Sequence, residues 1–493
     1  MFEQYPVIVV MWPLVAAALC AVVRRERWCW ILALSVSFIS LVGAITMLGY
    51  LDGEAGFISY ALGGWRPPYG IEYRVDTLAV YILILVSFLA TGVLLYGRQS
   101  VKAEIPANLQ GWYYCMYLLC LCGLMGIAIT GDAFNAFVFM EIASLSMYVL
   151  IGLGRDRKAL AAAYQYLIMG TVGATMYVIG VGLLYTITGT LNLVDMGERL
   201  NPIMDTPAAL AGMAFIIVGL SLKLALFPMH LWLPNAYAFA PSVTTVFISA
   251  TGTKVSIYLL LRYLYSVFGF DFIVNHSPVP SVMLVLSLLA IFVGSLTAIF
   301  QENVKRMLAY SSVAQIGYIT LGIALANGAG LLGGLVHVFN HALMKGALFM
   351  LVGGIAFQIG TVRIEDMAGI GRKMPLTMLG FVIGSLCMLG VPGTVGFVGK
   401  WYLAVGAIQN GWWWLVALIM LSSLLVLVYM GRVVEIAYFR ERPQGAVALS
   451  EPPKAMVVTS WVFIFACIYF GIDTSFTLDT AESAVEILLA PKP

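Results

Sequence analysis

The sequence predicts an all-α protein that crosses a membrane about fourteen times. Hydrophobic residues make up 61% of the 493 positions and charged residues only 10%, and the mean hydropathy is +0.96. A soluble globular chain carries about 25% charged residues, so this composition excludes an ordinary soluble domain. The apolar residues are grouped in runs of about 20, the length that an α-helix needs to span a bilayer.

These apolar runs follow one another along the whole chain. Each is bounded by short stretches that contain charged residues, glycine or proline, which we expect to be loops. The predicted helices are 5–23, 28–50, 76–96, 112–130, 133–153, 164–187, 208–232, 241–263, 279–300, 308–326, 329–357, 376–407, 412–438 and 457–473.

The basic residues are unevenly divided between the two sets of loops. Most of the 26 lysines and arginines fall in the odd-numbered loops, from Arg24 after the first helix to Lys454 before the last. Cytoplasmic loops are enriched in lysine and arginine. We therefore expect a multi-pass protein of a bacterial or archaeal cytoplasmic (inner) membrane, with both termini outside. The even-numbered loops and termini hold only Arg66, Arg74, Arg199, Arg262 and Lys492.

Two pairs of similar segments indicate an internal repeat. SLSMYVLIGLG from Ser144 resembles SVAQIGYITLGIA from Ser312, and GLLYTITGT ending at Thr190 resembles GGIAFQIGT ending at Thr361. The offset of about 170 residues spans five helices, an odd number, so successive copies would insert with opposite topology. The predicted division is helices 1–3 in 1–111, a first repeat in 112–263, an inverted second repeat in 279–438, and the C-terminal loop and helix 14 in 439–493.

Helices 7 and 12 are predicted to be discontinuous. Pro228 interrupts the apolar run FIIVGLSLKLALFPMHLWL, and Pro392 and Gly393 lie in the glycine-rich run GVPGTVGFVGKWYL. Proline removes a helix hydrogen bond, and glycine weakens a helix interior. Broken helices at corresponding positions of inverted halves indicate a transport path.

Glu141 and Lys223 are predicted to form a pair inside the membrane. Each lies within an apolar run, and a charge at membrane depth is costly unless a partner or a cavity compensates it. A lone buried carboxylate would take up a proton unless a cation lies close by. Two alternatives remain open: Lys223 could extend to the membrane interface, or the pair could be purely structural.

Further titratable residues lie in predicted spans after this pair. His337, His341 and Lys345 are spaced by four, which places them on one helix face. Lys254 lies among threonine and serine side chains that could hold water, and Lys400 follows the second predicted break. With Glu141 and Lys223 they form a candidate polar axis through the protein. The alternative is that they are buried core residues whose hydrogen bonds are satisfied and which have no role in transport.

Cofactor and metal signatures are absent from the sequence. There is no CxxC pair, no nucleotide-binding glycine loop and no haem motif. His337 and His341 have a spacing compatible with zinc, but no third ligand is evident. We therefore expect no metal and no cofactor.

Several of these segments also carry a resemblance to a known family. KLALFPMHLWLPNAY, PSVTTVFISATGTKVSIYLLLR, QENVKRMLAYSSVAQIGY and HVFNHALMKGALF resemble the antiporter-like subunits of respiratory complex I and of Mrp multisubunit cation/proton antiporters. The similarity extends over helices 4–13. It implies fourteen helices, two inverted repeats and broken helices 7 and 12. It also implies proton loading at Glu141 and Lys223, a connecting role for Lys254 and an exit role for Lys400.

Within this family the chain is most similar to the D-type subunit of the Mrp antiporters. Lys400 stands where the nearest complex I subunit typically has glutamate. The resemblance implies a proton-translocating transporter subunit, not an enzyme, which works with other membrane subunits to exchange Na+, Li+ or K+ for protons. The alternatives are a proton-pumping subunit of a redox-driven complex (complex I or membrane-bound hydrogenase type) and a structural scaffold.

Overall fold

The computed structural model describes residues 4–51, 56–442 and 449–490, and it confirms the all-α prediction. The part of the chain that it describes contains nineteen α-helices and a single β-hairpin. The first helices are α1 (Tyr5–Val23), α2 (Glu26–Leu51), α3 (Thr77–Glu104), α4 (Gln110–Ile129), α5 (Ala133–Gly152), α6 (Arg157–Thr188), α7 (Leu193–Leu200), α8 (Pro207–Leu224), α9 (Trp232–Phe239) and α10 (Ser242–Leu261). They are followed by α11 (Phe270–Asn275), α12 (Val279–Ile299), α13 (Val304–Ala324), α14 (Gly328–Ile359), α15 (Pro375–Leu389), α16 (Val395–Gln409), α17 (Trp413–Phe439), α18 (Lys454–Ile472) and α19 (Ser475–Leu489).

A β-hairpin, a π-helical turn and several short 3-10 turns lie between the α-helices of the described residues. The hairpin pairs β1 (Ile58–Ala61) with β2 (Glu72–Val75) in antiparallel register, with Ile58 opposite Val75. A π-helical turn, Arg262–Val267, extends α10.

Thirteen helices within the described ranges are long and apolar enough to cross a membrane. A bent pair, Glu365–Arg372 with Pro375–Leu389, raises the number of candidate spans to as many as fourteen. The chain is therefore a polytopic membrane protein, as predicted. Its division into two inverted repeats and into the four predicted regions remains a prediction.

The helices begin where the sequence supplies side-chain caps. Asp76, Asp132, Asn192 and Asn303 each accept a hydrogen bond from a backbone N–H in the first turn of the helix that follows. Such a cap satisfies a donor that has no partner inside the helix. The cap at Asn303 starts α13 at Val304, four residues before the predicted start at 308, and so places Lys305 in the helix instead of a loop.

Two predicted spans consist of separate helical segments. α8 ends at Leu224, and Ala225 adopts a left-handed conformation with φ 61° before α9 begins at Trp232. α15 ends at Leu389, and Gly390 has φ 89° before α16 begins at Val395. Both segments therefore present the free carbonyl groups of a helix C-terminus to the protein interior.

α14 is the central helix of the bundle. It packs against α3, α10, α13, α16 and α18, and it is buried over most of its length. Helices at the periphery, such as α1, α2 and α17, expose large apolar side chains, among them Trp12, Phe38 and Leu424. Such side chains suit contact with lipid or with another membrane subunit.

The C-terminal helix α19 was not predicted. It begins at Ser475, two residues after predicted helix 14 ends, and packs against α3 and α14. With only 15 residues and three acidic side chains, it lacks the apolar run by which the spans were found.

α6 and α8 approach closely because both carry glycine at their contact. A Cβ atom on Gly219 would lie 2.6 Å from the carbonyl oxygen of Gly173 and 2.7 Å from the backbone nitrogen of Tyr177. Small residues allow helix backbones to approach in membranes. The contact fixes α8, and therefore Lys223 near its end, against α6.

Gly219→Leu is expected to destabilise the protein, because the new side chain meets backbone atoms that cannot move aside. We expect a loss of about 1–3 kcal/mol or more, seen as a lower midpoint of thermal unfolding in detergent. Gly182→Leu is the matched control, since no atom lies within 4 Å of a Cβ at Gly182 in α6. Equal midpoints for the two variants would contradict the proposed helix contact.

Candidate functional site

Glu141 of α5 and Lys223 of α8 form a direct contact, as predicted from the sequence. Lys223 Nζ lies 3.3 Å from Glu141 Oε1 and donates a 2.7 Å hydrogen bond to Ser144 Oγ. The side chain of Lys223 is 3% exposed, whereas that of Glu141 is 24% exposed. The lysine is therefore enclosed, and the carboxylate faces the lateral surface of the chain.

The segment around Pro228 holds the end of α8 in place. Trp232 Nε1 donates a 2.9 Å hydrogen bond to the carbonyl oxygen of Leu222, one residue before Lys223. His230 is buried in the same segment, and its Nδ1 has no hydrogen-bond partner among the described residues. A titratable side chain therefore lies in the interruption itself.

Lys254 is completely buried in the middle of α10. Its ammonium group donates to the carbonyl oxygen of Ser249 in the same helix. The sequence predicted water-holding hydroxyls at Thr251, Thr253 and Ser256, but two of these are engaged. Thr251 and Ser256 donate to carbonyl groups of their own helix, four residues earlier, because that bond is local. Of these three hydroxyls, only that of Thr253 lacks a hydrogen-bond partner among the described residues.

His337, His341 and Lys345 lie on one buried face of α14, as their spacing predicted. The two imidazole rings are nearly parallel, with centroids 6.3 Å apart. His337 Nε2 lies 2.8 Å from Gln315 Oε1, whereas neither ring nitrogen of His341 has a partner within the described ranges.

Lys345 is held by the neighbouring helix α13. Its Nζ donates a 2.8 Å hydrogen bond to the carbonyl oxygen of Leu308 and a second hydrogen bond to the hydroxyl of Ser311. The described contacts of Lys345 therefore use neutral oxygens and no carboxylate.

Lys400 of α16 turns back to the C-terminus of α15. Its Nζ donates to the carbonyl oxygens of Leu389 at 2.9 Å and Met388 at 3.3 Å, and to Ser423 Oγ at 2.9 Å. A cation at a helix C-terminus interacts favourably with the free carbonyl groups there.

The interruption between α15 and α16 allows this return. Pro392 and Gly393, the predicted break residues, lie in it together with Gly390. Gly393 has φ 83°, a conformation in which glycine avoids the strain of a side chain. From α14, Asn340 Nδ2 donates a 2.7 Å hydrogen bond to the carbonyl oxygen of Val395 in the first turn of α16.

The structure brings Lys254, the three titratable residues of α14 and Lys400 near one another. His341 is within electrostatic reach of Lys254, Lys345 and His337, and His337 is within reach of Lys400. Gly399 packs so closely on His337 that a Cβ atom there would lie 2.7 Å from the ring Nδ1. These titratable groups therefore lie close enough to influence one another's charge, and together they are called the central cluster.

A small cavity lies beside Thr253, the residue before Lys254 in α10. It has a volume of about 10 Å³ and is lined by Met147, Tyr166, Trp232, Tyr237 and Thr253, among others. About 10–15 Å³ is the space that one water molecule needs. This cavity therefore has room for about one water molecule beside α10.

Sequence reasoning missed three polar residues around these groups. His230 was overlooked as part of the break, Gln315 as a neighbour of His337, and Lys305 as a buried side chain. The signal for Lys305 was available, because Asn303 followed by a helical pattern marks a helix start.

Lys400→Glu is expected to destabilise the break between α15 and α16. A carboxylate would face two carbonyl oxygens without a donor, so we expect a loss of about 2–4 kcal/mol. Lys400→Gln keeps an N–H donor and should lose about 1 kcal/mol. The measurement is thermal unfolding of the purified membrane complex. Lys454→Glu, at an exposed lysine that begins α18, is the control and should behave as wild type. An unchanged midpoint for Lys400→Glu would show that the carbonyl contacts are unimportant.

Comparison with known proteins gives consistent matches. Residues 130–426 match the family described as NADH:quinone oxidoreductase/Mrp antiporter, transmembrane. The N subunit of NADH-quinone oxidoreductase from Desulforudis audaxviator is 45% identical over 80% of this chain and 78% of its own length. The D subunit of the Na(+)/H(+) antiporter from Bacillus subtilis is 30% identical over 89% of this chain and 87% of its own length.

Two solved structures share the whole fold. A chain of the Mrp complex from Dietzia sp. superposes with a TM-score of 0.90 at 24% identity, covering 99% of this chain and 98% of its own. A chain of the membrane-bound sulfane sulfur reductase, an archaeal respiratory membrane complex, superposes with a TM-score of 0.89 at 29% identity and the same coverage. By sequence and by fold, the chain belongs to the NADH:quinone oxidoreductase/Mrp antiporter transmembrane family.

Proposed function

We propose that this chain is the proton-translocating membrane subunit of a multisubunit Na+ (or Li+ or K+)/H+ antiporter, similar to the D-type subunit of the Mrp antiporters. The observation that carries the proposal is the Glu141–Lys223 contact beside a connected cluster of buried titratable groups that ends at Lys400. Buried ionisable residues in a membrane protein are costly and mark ion or proton paths. The chain itself is a transporter subunit and not an enzyme.

The proposed path has three parts. Protons load at Glu141 and Lys223, next to the interruption at Pro228. They cross the bundle through Lys254 and then through His337, His341 and Lys345, which form a stripe on one face of α14. They leave at Lys400, beside the second interruption.

The lateral face of α5 supports the proposal that the chain works in a complex. Glu141 lies near the middle of this helix with 24% of its side chain exposed, and Leu145 and Val149 are exposed on the same helix. A carboxylate at membrane depth is costly against lipid. We therefore propose that another membrane subunit covers this face, as the multisubunit assemblies of the structural neighbours also suggest.

One observation favours a second candidate. The N subunit of NADH-quinone oxidoreductase is a relative with 45% identity, more than the 30% of the antiporter protein from B. subtilis. In that case the same path would be driven by electron transfer in a redox complex. The co-purified proteins decide between the two: small antiporter subunits support the first, and iron–sulfur or flavin absorbance supports the second. A structural scaffold, the third alternative, would tolerate loss of the buried charges.

The first test concerns the Glu141–Lys223 pair. Glu141→Gln and Lys223→Ala should each reduce transport by at least about 100-fold, and the double variant should be no worse, since coupled residues act as one unit. Glu141→Asp should keep part of the activity, limited by its shorter reach. The measurement is dye quenching driven by a pH gradient in everted vesicles, with assembly checked on native gels.

Glu435→Gln is the matched control for this experiment. Glu435 lies near the end of α17, where its exposed carboxylate pairs with Arg440, so its loss should leave transport unchanged. If Glu141→Gln assembles fully and transports at the wild-type rate, the pair is structural and the proposed loading site is wrong.

The orientation of the chain can be tested with single cysteines. We propose both termini outside a cytoplasmic (inner) membrane, because the basic loops then face the cytoplasm. All seven native cysteines are buried, so labelling reports on introduced ones. An impermeant maleimide should label Tyr69→Cys, where the native side chain is 95% exposed, in intact spheroplasts, and Lys158→Cys only in everted vesicles. The reverse pattern would invert the proposed topology.

A further inference from the structure

Lys305 is a buried lysine outside the axis described above. It lies in the first turn of α13 and is 4% exposed. Its Nζ donates a 2.9 Å hydrogen bond to Ser242 Oγ and lies 3.4 Å from the carbonyl oxygen of Ala240. None of its described contacts is a direct ion pair, so its charge is compensated through an intermediate group.

That intermediate group is Ser242, the first residue of α10. The carboxylate of Glu104 accepts a 2.8 Å hydrogen bond from the Ser242 backbone N–H, and its Oε2 lies 3.1 Å from Ser242 Oγ. The other oxygen of Glu104 accepts a 2.5 Å hydrogen bond from Ser100. Lysine, hydroxyl and carboxylate therefore form a fixed row across the junction of α3, α10 and α13.

This row borders a large cavity. The cavity has a volume of about 510 Å³, and its lining includes Glu104, Ser242 and Lys305. Arg155 and Asp156, both exposed, lie at the same cavity. The cavity therefore lies on the face of the chain that carries the basic loops. It extends from that face to Lys305 in the first turn of α13.

About one turn of α13 separates Lys305 from the carbonyl oxygen that binds Lys345. Lys345 Nζ donates to the carbonyl oxygen of Leu308, three residues after Lys305, and to Ser311. Three residues of α-helix rise by about 4.5 Å. Both lysines thus contact the first two turns of α13: Lys305 belongs to that helix and faces the cavity, and Lys345 reaches it from α14 in the central cluster.

We propose that Lys305 is a second proton-loading group, which supplies the central cluster directly from the basic face of the chain. Glu104 is its positioning residue and acts through Ser242. This inference rests on the proposed function as a proton-translocating subunit. It adds a loading step at the basic face, which each transport cycle requires together with the step at Glu141 and Lys223.

The transfer moves one proton in two steps. An N–H bond of the Lys305 ammonium breaks, and its proton passes through intervening water to the neutral amine of Lys345, where a new N–H bond forms. The neutral amine of Lys305 then takes a proton from a hydronium ion in the cavity and becomes an ammonium group again. The net change is one proton moved from the cavity to Lys345, with the Glu104 carboxylate unchanged.

A purely structural lysine would behave differently from a proton carrier. Lys305 also ties α13 to the segment before α10 through the Ala240 carbonyl, and an arginine could supply that tie and the charge. Arginine, however, does not release its proton in proteins. Lys305→Arg therefore separates the two roles.

The experiment uses everted vesicles that contain the assembled complex. Initial rates of pH-gradient formation should fall at least about tenfold in Lys305→Arg and in Lys305→Ala. Glu104→Gln should fall similarly, because the charge opposite Lys305 is lost, and Glu104→Asp should restore part of the rate. Arg306→Ala is the matched control, a neighbouring basic residue that does not line the cavity, and should transport as wild type.

The outcomes separate this inference from the proposed function. Glu141→Gln in the same vesicles reports on the proposed function alone. If Glu141→Gln is inactive and Lys305→Arg transports at the wild-type rate, Lys305 is structural and the inference is wrong. If both variants transport normally, the proposed function itself fails. Should Lys305→Ala not assemble, Lys305→Arg and Glu104→Gln still decide the question, with assembly followed on native gels.

Discussion

The fold depends on placing charged groups inside an apolar bundle with few opposite charges available. Of the four buried lysines on the proposed axis, only Lys223 contacts a carboxylate. Lys254, Lys345 and Lys400 are held instead by backbone carbonyls and serine hydroxyls. Burying a polar group there without a hydrogen bond destabilises the folded protein by about 2–7 kcal/mol. The positions of these oxygens therefore decide where a lysine can be tolerated.

A helix interruption supplies two of these oxygens, those that hold Lys400. A continuous helix uses its carbonyls internally, whereas a helix end leaves four without a partner. Lys400 bonds to two of them at the end of α15, and Trp232 bonds to another near the end of α8. Carbonyl and hydroxyl oxygens accept hydrogen bonds from both a neutral amine and an ammonium group. A lysine held in this way can gain or lose a proton without repacking of its neighbours. A carboxylate partner would oppose loss of the proton, because it stabilises the charged ammonium group.

Some of this arrangement could be predicted from the sequence and some could not. The spans follow from composition, because the bilayer imposes a length and an apolar surface on every helix. The α14 stripe follows from its spacing of four, and the Glu141–Lys223 contact from the cost of leaving either charge alone. The oxygens that hold Lys254, Lys345 and Lys400 could not be predicted, because many belong to the backbone and their positions depend on how the helices pack. The predicted helix began after Lys305, because a charged residue was taken to mark a loop and the helix cap at Asn303 was overlooked.

The central cluster also limits its own charge state. Lys254, Lys345 and Lys400 lie within electrostatic reach of one of the two buried histidines, with no carboxylate in the described contacts of these three lysines. Two unit charges about 10 Å apart repel by about 1.7 kcal/mol at an effective dielectric constant of about 20. A proton that arrives at one group therefore disfavours a proton on the next, and displacement toward Lys400 relieves the repulsion. On the proposed path, like charges arranged in a row would convert loading at one end into release at the other, without requiring a large movement of the helices.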